Sequence, residues 1–308
     1  MPPEYARSVG VSAVRSGSRR TPPGPGTGRR PTTAFVLSGG ASLGALQVGM
    51  LHALYERGIV PDLLVATSVG ALNAAFIASR PQTVATAREL GRVWRNLQRE
   101  DIFPVSMSAL VGGCCGQRNH LVPNRGLRRL LRRYLEFEEL AGAAIPLHLV
   151  AFELIEGREL LLSEGPAADA IMAAAAIPGV FPPVEIAEQW LIDGGVVNDT
   201  PISHAVELGA ERIYVLPTRY PESRRRRPPR GALDTALYGL SSLIDARLQS
   251  DIARYSAEVE LIVLPAGKSA GVEPTSFEHA DHLSHEALIA ARAELARHNA
   301  GRHLRLVS

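Results

Sequence analysis

At 308 residues and 46% hydrophobic content, the chain is long enough to bury a full core as one large α/β domain or two smaller ones. Aromatics at 5%, with abundant alanine, favour close helix-on-sheet packing over an aromatic-rich β-sandwich. A net charge of +2 is too near neutral to imply a nucleic-acid partner, and the two cysteines, Cys114 and Cys115, are adjacent, which suits reduced thiols in a cytoplasmic protein better than a disulfide or a zinc site.

Residues 1–32 are rich in Arg, Ser, Gly and Pro, with six arginines and one glutamate, and lack the apolar core of a secretory signal. They read as a disordered basic tail ahead of a single domain over 33–303. Such a tail can touch anionic lipid at about 1 kcal/mol per arginine, but a plain solvated tail is the better account of it. The most apolar window, Ile59 to Ala78, contains Pro61, Asp62 and Asn73 and fits strand-turn-helix better than a bilayer span.

Order begins at Thr33 to Leu37, an apolar and β-branched run that reads as a buried strand. It ends in Ser38-Gly39-Gly40-Ala41-Ser42-Leu43-Gly44, followed by an amphipathic helical pattern from about Ala45 to Arg57. A glycine-rich loop between strand and helix converges backbone N–H groups on negative charge. As a phosphate loop it fails, because neither G-x-x-x-x-G-K-[ST] nor G-x-G-x-x-G is met. As an oxyanion hole, with Gly39, Gly40, Ala41 and Leu43 supplying donors, it does better.

Leu63 to Ala66 is a second apolar strand, and Thr67-Ser68-Val69-Gly70 leads at once into a small-residue helix. This places Ser68 at a strand-to-helix turn, where the hydroxyl stands off the sheet edge near the positive end of a helix. The elbow residues Ala66, Thr67, Val69 and Gly70 approximate G-x-S-x-G, with Ala66 in the first glycine's place. A Thr-Ser pair before a helix is also a plain N-cap. A short helix-to-strand connection through Gly58 to Pro61 brings the glycine loop and Ser68 to the same carboxyl edge of a parallel sheet, where such sheets bind ligands.

Further along, Thr83 to Leu97 is helical, and Asp101 to Pro123 is loop-rich with a glycine cluster over Val111 to Gly116 that can border a substrate entrance. Asn124 to Leu135 reads as a helix capped by Asn124 and carrying Arg128, Arg129, Arg132 and Arg133. Pro146 to Glu153 and Glu159 to Ser163 read as a hairpin turned at Glu156-Gly157, and Ala167 to Ala176 as a short helix halted before Pro178. In Trp190-Leu191-Ile192-Asp193-Gly194-Gly195, an acid ends a short apolar strand ahead of two glycines, making Asp193 the candidate base; a turn is the simpler account of an isolated Asp-Gly-Gly.

After Pro201 come a helix over Ile202 to Leu208 and a strand over Arg212 to Pro217. A basic surface loop follows at 219–230 with four consecutive arginines, then a long helix over Asp234 to Tyr255, a strand over Val259 to Leu264 and a last helix over His279 to His298. None of the nine histidines has a context that marks it as a base. His279, Asp281, His282 and His285 have spacing a metal could use, but a solvated helix face explains them better, so no metal and no cofactor is expected.

Three ordered blocks carry a family resemblance: LSGGASLGALQVGML at Leu37 to Leu51, ATSVGALNA at Ala66 to Ala74, and FPPV…IDGG…N-x-x-P over Phe181 to Pro201. The chain resembles patatin-like phospholipases over about Thr33 to Leu264. The resemblance implies a three-layer α/β sandwich with a mostly parallel central sheet, and hydrolysis of fatty-acyl esters of lipids by a Ser-Asp dyad through an acyl-enzyme. It matches Ser68 to the nucleophile, Asp193 to the acid, and Gly39, Gly40, Ala41 and Leu43 to the oxyanion loop. Two departures stand out: Leu43 where the family often has Arg or Lys, and Ala66 where it often has Gly. Three readings stay open: a phospholipid acyl hydrolase, an esterase for soluble acyl esters, and a non-catalytic lipid-binding module. The expected partner is a lipid or acyl ester, with the tail and the 219–230 loop as candidate points of peripheral membrane contact.

Overall fold

The computed structural model describes residues 11–13, 30–103, 119–219, 232–266 and 276–307. Cys114, Cys115, the glycine cluster at 111–116, the arginine-rich stretch at 220–230 and most of the N-terminal tail lie outside the described residues.

A nine-stranded sheet organises the fold. Its parallel centre consists of β2 (Thr33–Leu37), β3 (Leu63–Ala66), β4 (Leu147–Glu153), β8 (Arg212–Leu216) and β9 (Glu260–Val263), in the order β4-β3-β2-β8-β9. The sheet as a whole is mixed, because β5 (Arg158–Leu162), β6 (Val184–Ile186) and β7 (Gln189–Asp193) join antiparallel, as does β1 (Val11–Ala13) on β5. The tight turn after β4 returns the chain beside it, and a tight turn can join only antiparallel strands. Within the tail, the three residues of β1 are in extended pairing. The outer edge of β5 presents unpaired N–H and C=O groups, and Val11, Ser12 and Ala13 take them up opposite Leu162, Leu161 and Leu160.

Helices cover both faces. On one side lie α1 (Ala45–Glu56), α2 (Val69–Ala78), α3 (Val84–Asn96), the single turn α4 (Arg99–Ile102), α5 (Arg125–Tyr134), α6 (Ala167–Ala174) and α9 (Ala280–Val307); on the other lie α7 (Ile202–Glu207) and α8 (Ala232–Tyr255). Strand residues alternate between the two resulting cores: Phe35 and Leu37 point into the first, Ala34 and Val36 into the second. Burial on both faces explains why these strands are apolar throughout rather than alternating.

Helix α1 departs from the amphipathic expectation, since ten of its twelve residues are buried. It sits beneath α9 and α3 as well as against the sheet core, so it has no wide solvent face to make polar. At α5, Asn124 occupies the N-cap position without the expected side-chain cap. Among the described residues no helix is long and apolar enough to cross a membrane.

Candidate active site

Two strands ending head to head make the site. β4 pairs with β5 along one edge, and its opposite edge is shared. β3 occupies the first half, with Ala66 opposite Leu149; β7 runs the other way along the second half, with Asp193 opposite Ala151. The carboxyl ends of β3 and β7 therefore face each other in one lane, and the residues beyond them, Ser68 and Asp193, come together.

The end of α6 fixes both backbones. Ser68 N–H donates to the Ala174 carbonyl at 2.9 Å, and Asp193 N–H donates to the Ala176 carbonyl at 3.0 Å. Thr67 is anchored twice more, its N–H to Leu37 O at 3.1 Å and its hydroxyl to Asn198 O at 2.9 Å.

Ser68 has φ 55° and ψ −127°, a sparsely populated backbone conformation for a residue with a side chain. Such strain costs about 1–3 kcal/mol and persists only where surroundings over-determine it. Although Ser68 stands at the N-cap of α2, its side chain makes no capping hydrogen bond, so the plain N-cap account of the Thr-Ser pair does not describe it. Its hydroxyl instead acts on the Asp193 carboxylate, whose charged form it favours. Gly70 is needed here for space, because a Cβ on it would come within 2.3 Å of the Leu37 carbonyl oxygen.

Asp193 is only 4% exposed. Burial pushes its carboxyl up to about 7, against the Ser68 hydroxyl and the hydrogen bond from Gly195 N–H (2.8 Å), with the Asp199 charge adding to the rise. Asp199 is also pushed up, to about 6, mainly by burial.

The glycine loop lies beside this pair as a short 3-10 turn over Ala41–Gly44 feeding α1. Gly40 has φ 145°, and a Cβ there would sit 2.1 Å from the Thr218 hydroxyl. The four loop residues singled out by sequence are not equivalent. Gly39 N–H donates to Asp199 O at 3.2 Å and Leu43 N–H to Gly40 O at 3.1 Å, whereas the N–H groups of Gly40 and Ala41 meet no acceptor among the described residues. The Leu43 side chain is buried in the core beside the turn, where a cation would be desolvated, and the Ala66 methyl is likewise fully buried in that core.

Several supporting residues escaped the sequence reading. The Gln47 amide donates to Ser38 O at 2.9 Å and Leu216 O at 3.0 Å. Asn73 donates to Gly44 O at 3.0 Å and to the Gln47 amide oxygen at 2.8 Å, and accepts from the Trp94 indole N–H at 2.9 Å. This buried relay pins the glycine loop to α1, α2 and α3. The one available signal was polarity: Asn73 is an amide in the otherwise apolar α2, and Gln47 an amide in the apolar first half of α1. Behind the site, Asn198 donates to Glu159 at 2.6 Å, and His204 pairs with the same carboxylate at 2.6 Å and with Glu207 at 3.1 Å. Burial opposes charge on His204, yet the two glutamates hold its pKa above the ordinary histidine value.

Ser68 opens into a cavity of about 90 Å³. Its walls are almost wholly apolar, including Leu72, Phe76, Val93, Phe103, Leu130 and Phe181. Among the described residues no three His, Cys, Asp or Glu side chains converge as a metal site, and Asp281 is paired with Arg95 at 2.7 Å. The arrangement thus offers a serine on a strained backbone, a carboxylate with a pKa near neutrality, two uncommitted N–H donors and an apolar hollow.

A family model described as patatin-like phospholipase matches residues 35–206. An uncharacterized NTE family protein of Mycobacterium tuberculosis (strain CDC 1551 / Oshkosh) is 30% identical over 174 residues, 54% of this chain and 27% of that protein. Lysophospholipase NTE1 of Mycosarcoma maydis is 25% identical over 189 residues, 59% of this chain and 9% of its own length. The patatin-like phospholipase domain-containing protein 6 of Mus musculus is 23% identical over 188 residues, 60% of this chain and 13% of its own. The match thus spans at most 27% of the length of these relatives. Among solved structures, VipD from Legionella pneumophila aligns with a TM-score of 0.49 at 14% identity, covering 87% of this chain and 67% of that one.

Proposed function

This chain belongs to the patatin-like phospholipase family, and from that premise we propose that it is a serine acyl hydrolase that cleaves fatty-acyl esters of lipids with Ser68 as nucleophile and Asp193 as base. One observation carries the reading. The Ser68 hydroxyl, free of any capping role, borders an apolar cavity and favours the charged form of the buried Asp193 carboxylate. The hydrolase class is supported by the family and by relatives such as the fungal lysophospholipase.

The mechanism follows from the groups in place. Asp193 accepts the hydroxyl proton as Ser68 attacks the ester carbonyl, and the N–H groups of Gly40 and Ala41 face the developing oxyanion. The alcohol leaves with the proton held by Asp193. Water then attacks the acyl-enzyme with Asp193 again as base, releasing the fatty acid and restoring Ser68. A carboxylate of ordinary acidity would be a poor base, and burial in the same dry site raises Asp193 toward the working range. The acyl chain would lie in the cavity among Leu72, Phe76 and Leu130.

Labelling with a fluorophosphonate probe tests the assignment. The native chain is expected to label and Ser68→Ala to stay unlabelled. Equal labelling of both would remove Ser68 from the mechanism, and labelling of neither would favour a lipid-binding module without turnover.

A further inference from the structure

Helix α5 has two unlike faces. Leu127, Leu130, Leu131 and Tyr134, spaced at i, i+3, i+4 and i+7, line the cavity that begins at Ser68. Arg125, Arg129, Arg132 and Arg133, spaced at i, i+4, i+7 and i+8, are exposed on the other side. Its inner face packs toward α4 and α6. The ion pair recorded on this helix is made by a fifth arginine, Arg128, with Asp169 at 3.4 Å, while Arg133 lies 5.3 Å over the Tyr134 ring. Arg125, Arg129 and Arg132 have no acidic partner among the described residues. The nearest acid along the chain, Glu136, is taken by Arg80. Like charges at these spacings weaken a helix on its own, so the stripe does not account for the stability of α5.

We infer that the outer face of α5 is the surface by which this protein rests on an anionic lipid bilayer, with the arginines on headgroup phosphates and the acyl cavity directly behind the same helix. The inference rests on the lipid-hydrolase reading and adds its docking surface. Charge complementarity selects the occupant, since guanidinium groups match phosphate oxygens two at a time. A helix only ten residues long that walls the cavity on one side and meets headgroups on the other would leave a lipid's acyl chain little distance to travel.

The test is co-sedimentation of the Ser68→Ala chain, which leaves the vesicles intact, with phosphatidylcholine vesicles with and without phosphatidylserine. The parent is expected to sediment with the anionic vesicles. R129Q/R132Q/R133Q should lose affinity by about fivefold per arginine, so about a hundredfold together, and R129K/R132K/R133K should keep most of the binding. Equal sedimentation of the glutamine triple and the parent would overturn the inference. So would equal binding of the parent to neutral vesicles, or capture by soluble heparin with no vesicle binding. In the Ser68 background, the glutamine triple should turn over a water-soluble short-chain ester at the native rate with an unchanged thermal transition. A loss of that turnover without a loss of sedimentation would also overturn it. A native chain that binds anionic vesicles in an arginine-dependent way but hydrolyses no ester would leave this surface standing and refute the proposed function instead.

Discussion

Replacing Asp193 by asparagine should make the protein more stable and much less active, with the stability gain growing as pH rises from about 4 to about 7 and constant above. An acid moved from its ordinary value of 3.8 to about 7 costs the folded state about 4 kcal/mol at any pH above both values. The unfolded chain releases this proton near pH 3.8 and the folded chain near 7. Between those values the folded state binds more protons, so stability falls as pH rises through the window and stays lower above it. Asparagine cannot ionise, and the penalty disappears. Its amide oxygen can keep the Gly195 N–H bond, while the altered contact with Ser68 costs about 1 kcal/mol.

The expected net gain for Asp193→Asn is therefore about 3 kcal/mol at about pH 8, shrinking to nothing or a slight loss at about pH 4. Asp199 titrates in the same window in both proteins and largely drops out of the difference. Urea denaturation of native and variant chains at the two pH values measures it, and short-chain ester turnover should fall by orders of magnitude in the same preparation. A variant that gains nothing at the higher pH, or gains equally at both, would refute the claim that Asp193 is a costly buried charge. Near-native turnover would remove it from the chemistry.

Activity of the native chain should rise with pH through an apparent value near 7 as the Asp193 carboxylate forms; a kcat/KM profile that is flat across that region would exclude Asp193 as the base. Asn73→Ala should destabilise the fold by about 2–4 kcal/mol, because it leaves the Trp94 indole N–H, the Gly44 carbonyl and the Gln47 amide oxygen without their partner. Denaturant midpoints would show it, and a change below about 0.5 kcal/mol would mean the relay does not pin the loop. Ala75→Leu adds bulk to the cavity wall and should cut turnover of long-chain esters at least about tenfold relative to short ones; unchanged chain-length preference would place the acyl chain elsewhere.

What the sequence disclosed of this fold tracks how local each signal is. The stretch from Thr33 through the glycine loop to Leu63 and Ser68 was legible because each step is set by neighbours: β-branched runs, a glycine turn, a helix of small residues. The meeting of Ser68 with Asp193 depends on two strand ends more than a hundred residues apart sharing one edge of β4. The patterns proposed each residue, but only the DGG block's place in a known family order joined them. The antiparallel additions to the parallel centre were not legible on the same ground, since the β4–β5 hairpin was visible while its membership in the central sheet was not. Helix α1 read as amphipathic, yet even Gln47 is buried in it and spends its amide on Ser38 and Leu216. Ala66, one of the two departures from the family pattern, is a methyl in the core, and the space that matters is kept by Gly70.

Burial links these features into one property of the site. An aspartate becomes a useful base for a serine only if water is kept from it, and the residues that exclude water from Asp193 and Ser68 are continuous with the apolar wall that would hold an acyl chain. The strained Ser68 backbone and the raised Asp193 acid both cost the fold stability, and the backbone bonds from Ser68 and Asp193 to Ala174 and Ala176 hold both against relaxation. A substitution that admits water to the cavity should therefore lower the Asp193 pKa and shift the activity profile toward acid while slowing turnover. One that only shortens the cavity should change chain-length preference and leave the profile in place. Polar substitution at Leu130, which is partly exposed at the cavity wall, separates the two: Leu130→Asn should move the profile, and Leu130→Phe should not.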